Sequence, residues 1–139
     1  MILLDTNIVS EMMKKIPCPA VIKWITHQES MALYISTITI AEINYGIHVL
    51  QKRKQRHTLE KAFSQALNES FSNRVLFFDE EAAYAYGEIM SLRKQLGKPL
   101  SILDGQIAAI AHVNHASVAT RNMKDFLNCN LELINPFEY

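Results

Sequence analysis

Residues 1–7 read Met1-Ile2-Leu3-Leu4-Asp5-Thr6-Asn7, a short apolar run closed by a carboxylate and two further polar groups. Ile2 to Leu4 is the shortest run that makes a buried strand. A charge placed directly behind it either caps the helix that can begin at Thr6-Asn7-Ile8-Val9 or performs chemistry at the strand's end. Which of the two applies depends on the fold, and the rest of the chain supplies it. Further short apolar runs fall at Leu33 to Ile35, Val75 to Phe78, Val118 to Ala119 and Leu131 to Ile134. Amphipathic stretches separate them. The clearest runs from about Glu80 to Leu96, opened by Asp79 as a cap and stopped by Gly97-Lys98-Pro99. Ile102 to His115 repeats the period with small residues, Ala108, Ala109 and Ala111, which allow close approach to a sheet.

Strands that alternate with helices predict an α/β fold: a central parallel sheet of four to five strands with helices on both faces. The stretch from about Ala41 to Ser72 has no strand signal and only Gly46 to interrupt it, so it predicts an αα excursion around residues 41–72.

The bulk composition narrows the function classes. A length of 139 residues suits one domain and one hydrophobic core, so residues 1–139 are expected to form a single domain. Apolar residues make up 49% and charged residues 20%, without repeats or low-complexity linkers. The start lacks a basic n-region with a cleavage site, and no apolar run approaches the roughly 18 residues needed to cross a bilayer. A cytoplasmic protein without membrane contact is expected. Cys18 and Cys129 have no CxxC or paired-His spacing, which argues against zinc and against a structural disulfide. Fourteen basic against fourteen acidic residues exclude a surface coated in base, so any grip on nucleic acid must be local. The one dense basic stretch, Lys52-Arg53-Lys54-Gln55-Arg56-His57, reads as a solvated helix face or as a phosphate-steering patch.

The acids carry the most information. Glu42 closes Thr39-Ile40-Ala41-Glu42, Asp104 closes Ser101-Ile102-Leu103-Asp104, and Asp125 closes Asn122-Met123-Lys124-Asp125. Each spacing is that of a capping box, so each taken alone marks a helix start. In a parallel sheet, however, the helices that come after strands begin at the strands' carboxyl edge, where open α/β sheets bind ligands. Acids at those starts converge. Carboxylates within about 5 Å of one another repel by several kcal/mol, so some protonate or a cation sits among them. Oxygen donors without Cys or His favour Mg²⁺ or Mn²⁺ over Zn²⁺, which is the chemistry of phosphodiester hydrolysis.

The segments "MILLDTNIVSE", "ISTITIAEINYGI", "LDGQIAAIA" and "VATRNMKDF" together resemble the four signature segments of PIN-domain ribonucleases. The match is nearest to the toxin half of VapBC-type toxin-antitoxin pairs, including the FitB-like branch, and it covers the chain almost end to end. The resemblance implies a Mg²⁺- or Mn²⁺-dependent endoribonuclease acting on RNA, normally a homodimer. It further implies a cognate antitoxin that reaches into the acidic site, and binding to operator DNA only through that antitoxin. On this resemblance Asp5 and Asp104 are the primary metal ligands, and Glu42 is a third acid that ligates or orients the attacking water. Thr6, Asn7 and Thr120 hold those carboxylates. The departure is Asn122, an amide where many members carry a fourth acid; Asp125, three residues on, is the candidate substitute, and the number of metals is left open.

Three other readings compete. An aspartyl-phosphate phosphatase of the haloacid-dehalogenase kind also keeps its nucleophile after strand one, but it wants an acid two residues later, where this chain has Asn7. A non-catalytic dimeric regulatory module would use the acids only as caps. His112 and His115, one helical turn apart, suggest a histidine-driven nuclease, although a position near a helix end suits such cations without catalysis.

Overall fold

The computed structural model describes residues 1–139. Five strands, β1 (Ile2–Leu4), β2 (Leu33–Ser36), β3 (Val75–Leu76), β4 (Ser117–Ala119) and β5 (Leu133–Ile134), form one sheet in the order β3-β2-β1-β4-β5, with every pair parallel. Six helices surround it: α1 (Thr6–Met12), α2 (Pro19–Thr26), α3 (Thr37–His48), α4 (Arg53–Ser70), α5 (Glu80–Gln95) and α6 (Ile102–Val113). No helix is long and apolar enough to cross a membrane.

The period-two alternation of the strands divides the core between two faces. Leu3 and Val118 point into a layer with Ala82, Ala85, Ile89, Ile107 and Ala111 from α5 and α6. Their neighbours Leu4 and Ala119 point the other way, against Ile8, Val21, Ile43, Ile47 and Phe63 from α1 to α4. Three-residue strands suffice because both faces of the sheet are covered. The alanines predicted to approach the sheet do so: Ala108, Ala109 and Ala111 are fully buried. Just before them, Gly105 brings α6 so close to α5 that an added Cβ would lie 2.5 Å from Met90 Sδ and 3.0 Å from a Tyr86 ring carbon.

Several boundaries differ from the sequence expectation. The two helices of the excursion cover 37–48 and 53–70, not 41–72, and Gly46 lies inside α3 without breaking it. The break falls at Val49 to Lys52, where the chain turns into the basic stretch. β3 stops at Leu76 and β5 begins at Leu133, because the flanking residues leave the ladder. α5 keeps both of its expected ends. Asp79 accepts from Ala82 N at 2.9 Å, and Gly97, at φ +71°, terminates the helix in the left-handed region that glycine tolerates.

Two buried arginines fix the loops. Arg74 donates to the carbonyls of Leu33 (2.7 Å), Ser30 and Ser70. Arg93 donates to Lys98 O (2.7 Å), Asp125 O (3.1 Å) and Leu127 O (2.6 Å), tying the end of α5 to the loop beyond β4. Backbone carbonyls replace water around each guanidinium, as burial of a cation requires, with only Arg74 Nε left without a partner.

Candidate active site

The strand order places the site. From β1 the chain moves outward through β2 to β3, then returns to the far side of β1 as β4 and continues to β5. The reversal falls between β1 and β4, and such a switch point opens a crevice beyond the strands' carboxyl ends. Asp5 lies there at the end of β1, and Thr120 at the end of β4. Asp5 N donates to Ala119 O at 2.9 Å, and Thr120 Oγ1 donates to Asp5 Oδ2 at 2.8 Å.

Asp5 is 5% exposed. Its carboxylate also accepts from Thr6 N (2.8 Å) and Asn7 Nδ2 (3.1 Å), so it caps α1 only through the first helical amide and spends its other oxygen on side chains. Burial raises its pKa to about 6, against the hydrogen bonds from Thr120 and Thr6, and the charges of Asp104 and Glu42 add to the rise. Thr120 Oγ1 in turn accepts from Asn122 N at 3.0 Å. One hydroxyl therefore connects the first acid to the loop that carries Asn122.

Glu42 corrects the capping reading. The cap of α3 is Ser36, whose hydroxyl accepts from Thr39 N at 3.1 Å, so Glu42 stands in the second turn with no amide to cap. Instead Thr6 Oγ1 donates to Glu42 Oε1 at 2.8 Å and lies 3.0 Å from Thr39 Oγ1. Because Thr6 gives its only proton to the carboxylate, Thr39 donates to Thr6, and Ser36 Oγ donates to Thr39 at 3.4 Å. The relay Ser36 to Thr39 to Thr6 to Glu42 holds the second acid. Of its buried members, Thr39 had only a capping signal in the sequence and Ser36, the actual cap, had none.

Asp104 arrives by a different route from the one the sequence argument used. α6 comes after α5 with no strand between them. It reaches the carboxyl edge because a three-residue turn, 114–116, joins its far end to the start of β4, so its first turn must lie at the opposite end. Ser101 caps α6, accepting from Asp104 N at 3.2 Å. The Asp104 carboxyl is half-buried and raised above its usual range by burial, countered by the Ser101 hydroxyl, with Asp125 adding a further upward push and Arg93 a downward one.

A cavity of about 430 Å³ brings these groups together: Asp5, Thr6, Asn7, Glu42, Asp104 and Asn122 line it, with Ser10, Glu11, Lys14, Arg121 and Phe137. Asp125 does not line it. Asn122 precedes a 3-10 helix, Met123–Phe126, but makes no side-chain cap, and only its carbonyl accepts from Asp125 N (3.0 Å). Asp125 thus acts on Asp104 through charge, not as a wall of the cavity. His112 and His115 line a separate pocket with Glu132, after the end of α6. Lys14 and Phe137 were missed by sequence reasoning, since neither has a spacing that sets it apart from a surface residue, while Glu11 and Arg121 lie inside signature segments but were given no role there.

Parallel strands, a switch-point crevice and an oxygen-only acidic cluster define the class of α/β domains with a carboxylate-lined cavity at the sheet's carboxyl edge. The PIN domain model matches residues 2–128, and the chain belongs to the PIN-domain family. It is 40% identical to a plasmid stability protein StbB of Pseudomonas syringae over 138 residues, 99% of each chain. It is 38% identical to the VapC ribonuclease Y4jK of Sinorhizobium fredii, again over 99% of each. Among solved structures it is similar to FitAcB from Neisseria gonorrhoeae, with a TM-score of 0.94, 35% identity and full coverage of both chains. A FitAB complex bound to a DNA fragment aligns with a TM-score of 0.92 and 36% identity, over 99% of this chain and 96% of the other.

Proposed function

We propose that residues 1–139 act as one PIN-like domain that hydrolyses RNA phosphodiester bonds as the toxin of a toxin-antitoxin pair, using a divalent cation held at Asp5, Asp104 and Glu42. The observation that carries the reading is the gathering of three acids in one cavity at the switch point. Three acids share one cavity, and burial together with their repulsion lifts the Asp5 pKa to about 6. Pure caps have no reason to converge in this way.

The donor set fits a hard cation. It contains only oxygen, with Asn122 as a neutral donor, which favours Mg²⁺ or Mn²⁺ over zinc. No three Asp, Glu, His or Cys side chains stand close enough to hold an ion by themselves, so water would have to complete its coordination, which Mg²⁺ accepts. When bound, such an ion neutralises phosphate charge and makes water more acidic. The chain's own groups do the rest. Thr120, Asn7 and Thr6 N aim the Asp5 carboxylate, and Thr6 fixes Glu42 so that its free oxygen can orient water and take its proton.

A cognate antitoxin that blocks this cavity, and operator DNA reached only through it, are the corresponding partners; the FitAB complex with DNA supports this part of the reading. Exposed apolar residues on α5 and at the start of α6, including Tyr84, Leu92, Ile102 and Leu103, suit a homodimer contact. A cytoplasmic location is consistent with an RNA substrate.

Direct attack by water on phosphorus leaves a 5′-phosphate and a 3′-hydroxyl. The test is an RNA substrate with a single 2′-deoxy residue just 5′ of the cut. Cleavage that persists with Mg²⁺ and stops with EDTA supports the acid cluster. Cyclic-phosphate ends, or dependence of the chemical step on that 2′-hydroxyl, would refute it.

A further inference from the structure

An acidic cavity must still accept a polyanion. Of its eleven lining residues only Lys14 and Arg121 are cations. Lys14 is committed, since its Nζ lies 2.6 Å from Glu11 Oε2. Glu11 is itself saturated: its Oε1 accepts from Cys18 N at 2.9 Å, and these two partners draw its pKa below the usual range. Arg121 lends Glu11 only a weaker, longer-range charge and makes no salt bridge or side-chain hydrogen bond of its own. Its guanidinium lies 4.7 Å over the Phe137 ring.

That placement is held from both sides. Asn7 Oδ1 accepts from Arg121 N at 3.3 Å, one residue beyond the Thr120 hydroxyl that holds Asp5. Phe137 stands on a 3-10 turn, Pro136–Glu138, capped by Asn135 Oδ1 (3.1 Å) and bound to the end of α2 through His27 Nδ1 and Tyr139 Oη at 2.7 Å. Stacking uses the face of a guanidinium and leaves its N–H edge free for a planar or tetrahedral oxyanion.

We propose that Arg121, stacked on Phe137, is the phosphate-gripping residue of this site, donating to the non-bridging oxygens of an RNA backbone phosphate beside the carboxylates. The inference rests on the ribonuclease reading and deepens it, naming the group that offsets repulsion between cluster and substrate.

The test uses a short random-sequence, fluorophore-labelled single-stranded RNA and the Asp104→Asn chain, which binds without cutting. Fluorescence anisotropy is read across a salt series. Arg121→Met on this background should weaken binding about tenfold and lower the salt slope by about 0.7, the loss of one phosphate contact on a single strand. Arg121→Lys should restore the slope but only part of the affinity, because an ammonium cannot present two parallel donors. Lys98→Met, an exposed cation outside the cavity, is the control for general charge. Equal effects of Arg121→Met and Lys98→Met, or an unchanged slope with Arg121→Met, would overturn the assignment while leaving the ribonuclease reading intact. A parent chain that binds no RNA at all would overturn that reading, and the Arg121 role with it. Thermal melts of each variant separate loss of grip from loss of fold.

Discussion

Asp5→Asn is the most informative single change, because it removes a titration without removing the side chain's shape. Asp5 titrates near 6 in the folded chain and near its ordinary value of 3.8 when unfolded. In that interval the folded chain holds a proton that the unfolded chain releases, so stability falls as pH rises through the window. The stabilising state is the protonated one. It is fully present below about 3.8 and gone above about 6, and the total is about 3 kcal/mol at 1.36 kcal/mol per decade of affinity. Asparagine does not titrate, so the variant lacks this slope. It keeps the acceptor for Thr6 N but presents an amide nitrogen where Oδ2 receives Thr120 and Asn7, a pH-independent cost of about 1–2 kcal/mol. Urea unfolding in EDTA at about pH 4.5 and about pH 7.5 separates the two contributions. The stability of the variant relative to the parent should improve by about 2 kcal/mol between those values, the share of the total that lies in that range. Added Mg²⁺ should stabilise the parent at the higher pH and leave the variant almost unmoved. A difference that is flat with pH to within about 0.5 kcal/mol would mean that Asp5 ionises freely. The burial and the neighbouring charges that raise its pKa would then be wrong, and Asp5 would be an ordinary cap.

Asp104→Asn should abolish RNA cleavage while keeping or raising the melting temperature in EDTA, since the cap of α6 is the Ser101 hydroxyl on the Asp104 backbone amide, which the substitution keeps; a capping-box role would instead cost about 0.5–2 kcal/mol. Gly105→Ala places a methyl against the Met90 and Tyr86 side chains, so Met90 must swing away or α6 must shift, and calorimetry should show a loss of about 1 kcal/mol despite alanine's better helix propensity. Lys52 and Lys54 line a groove of about 950 Å³ that shares Thr6, Ser10, Lys14 and Glu42 with the acidic cavity. Replacing both with Gln should weaken RNA binding and flatten its salt dependence without changing metal affinity by calorimetric titration.

Local pattern along the chain was enough to define the sheet and the acids that surround its switch point. Short apolar runs such as Ile2 to Leu4, alternating with amphipathic stretches, suit strands covered on both faces, and a parallel sheet gathers the residues at the strands' carboxyl ends along one edge. Asp5 was legible for that reason, and the carboxylate-holding Thr120 through the resemblance of its segment to a family signature. The alanine pattern of α6 was legible too, because close packing on a sheet demands small side chains. Glu42 was found for an incomplete reason: its capping spacing marked it, but its position is set by the hydroxyl relay from Ser36 through Thr39 and Thr6, which joins residues about thirty positions apart. Asp104 reaches the cavity only because α6 runs back into β4, a matter of chain path and not of local pattern. The fates of Asp125 and Arg121 were invisible until the chain was folded. Asp125 sits in a 3-10 turn clamped by Arg93 and does not line the cavity, whereas Arg121, given no role in sequence, is left as the one unpaired cation lining it. Periodicity and capping are properties of neighbours along the chain. Which charge remains unpaired depends on partners brought from Glu11, Lys14, Cys18 and Phe137, and only three-dimensional packing puts those in one place.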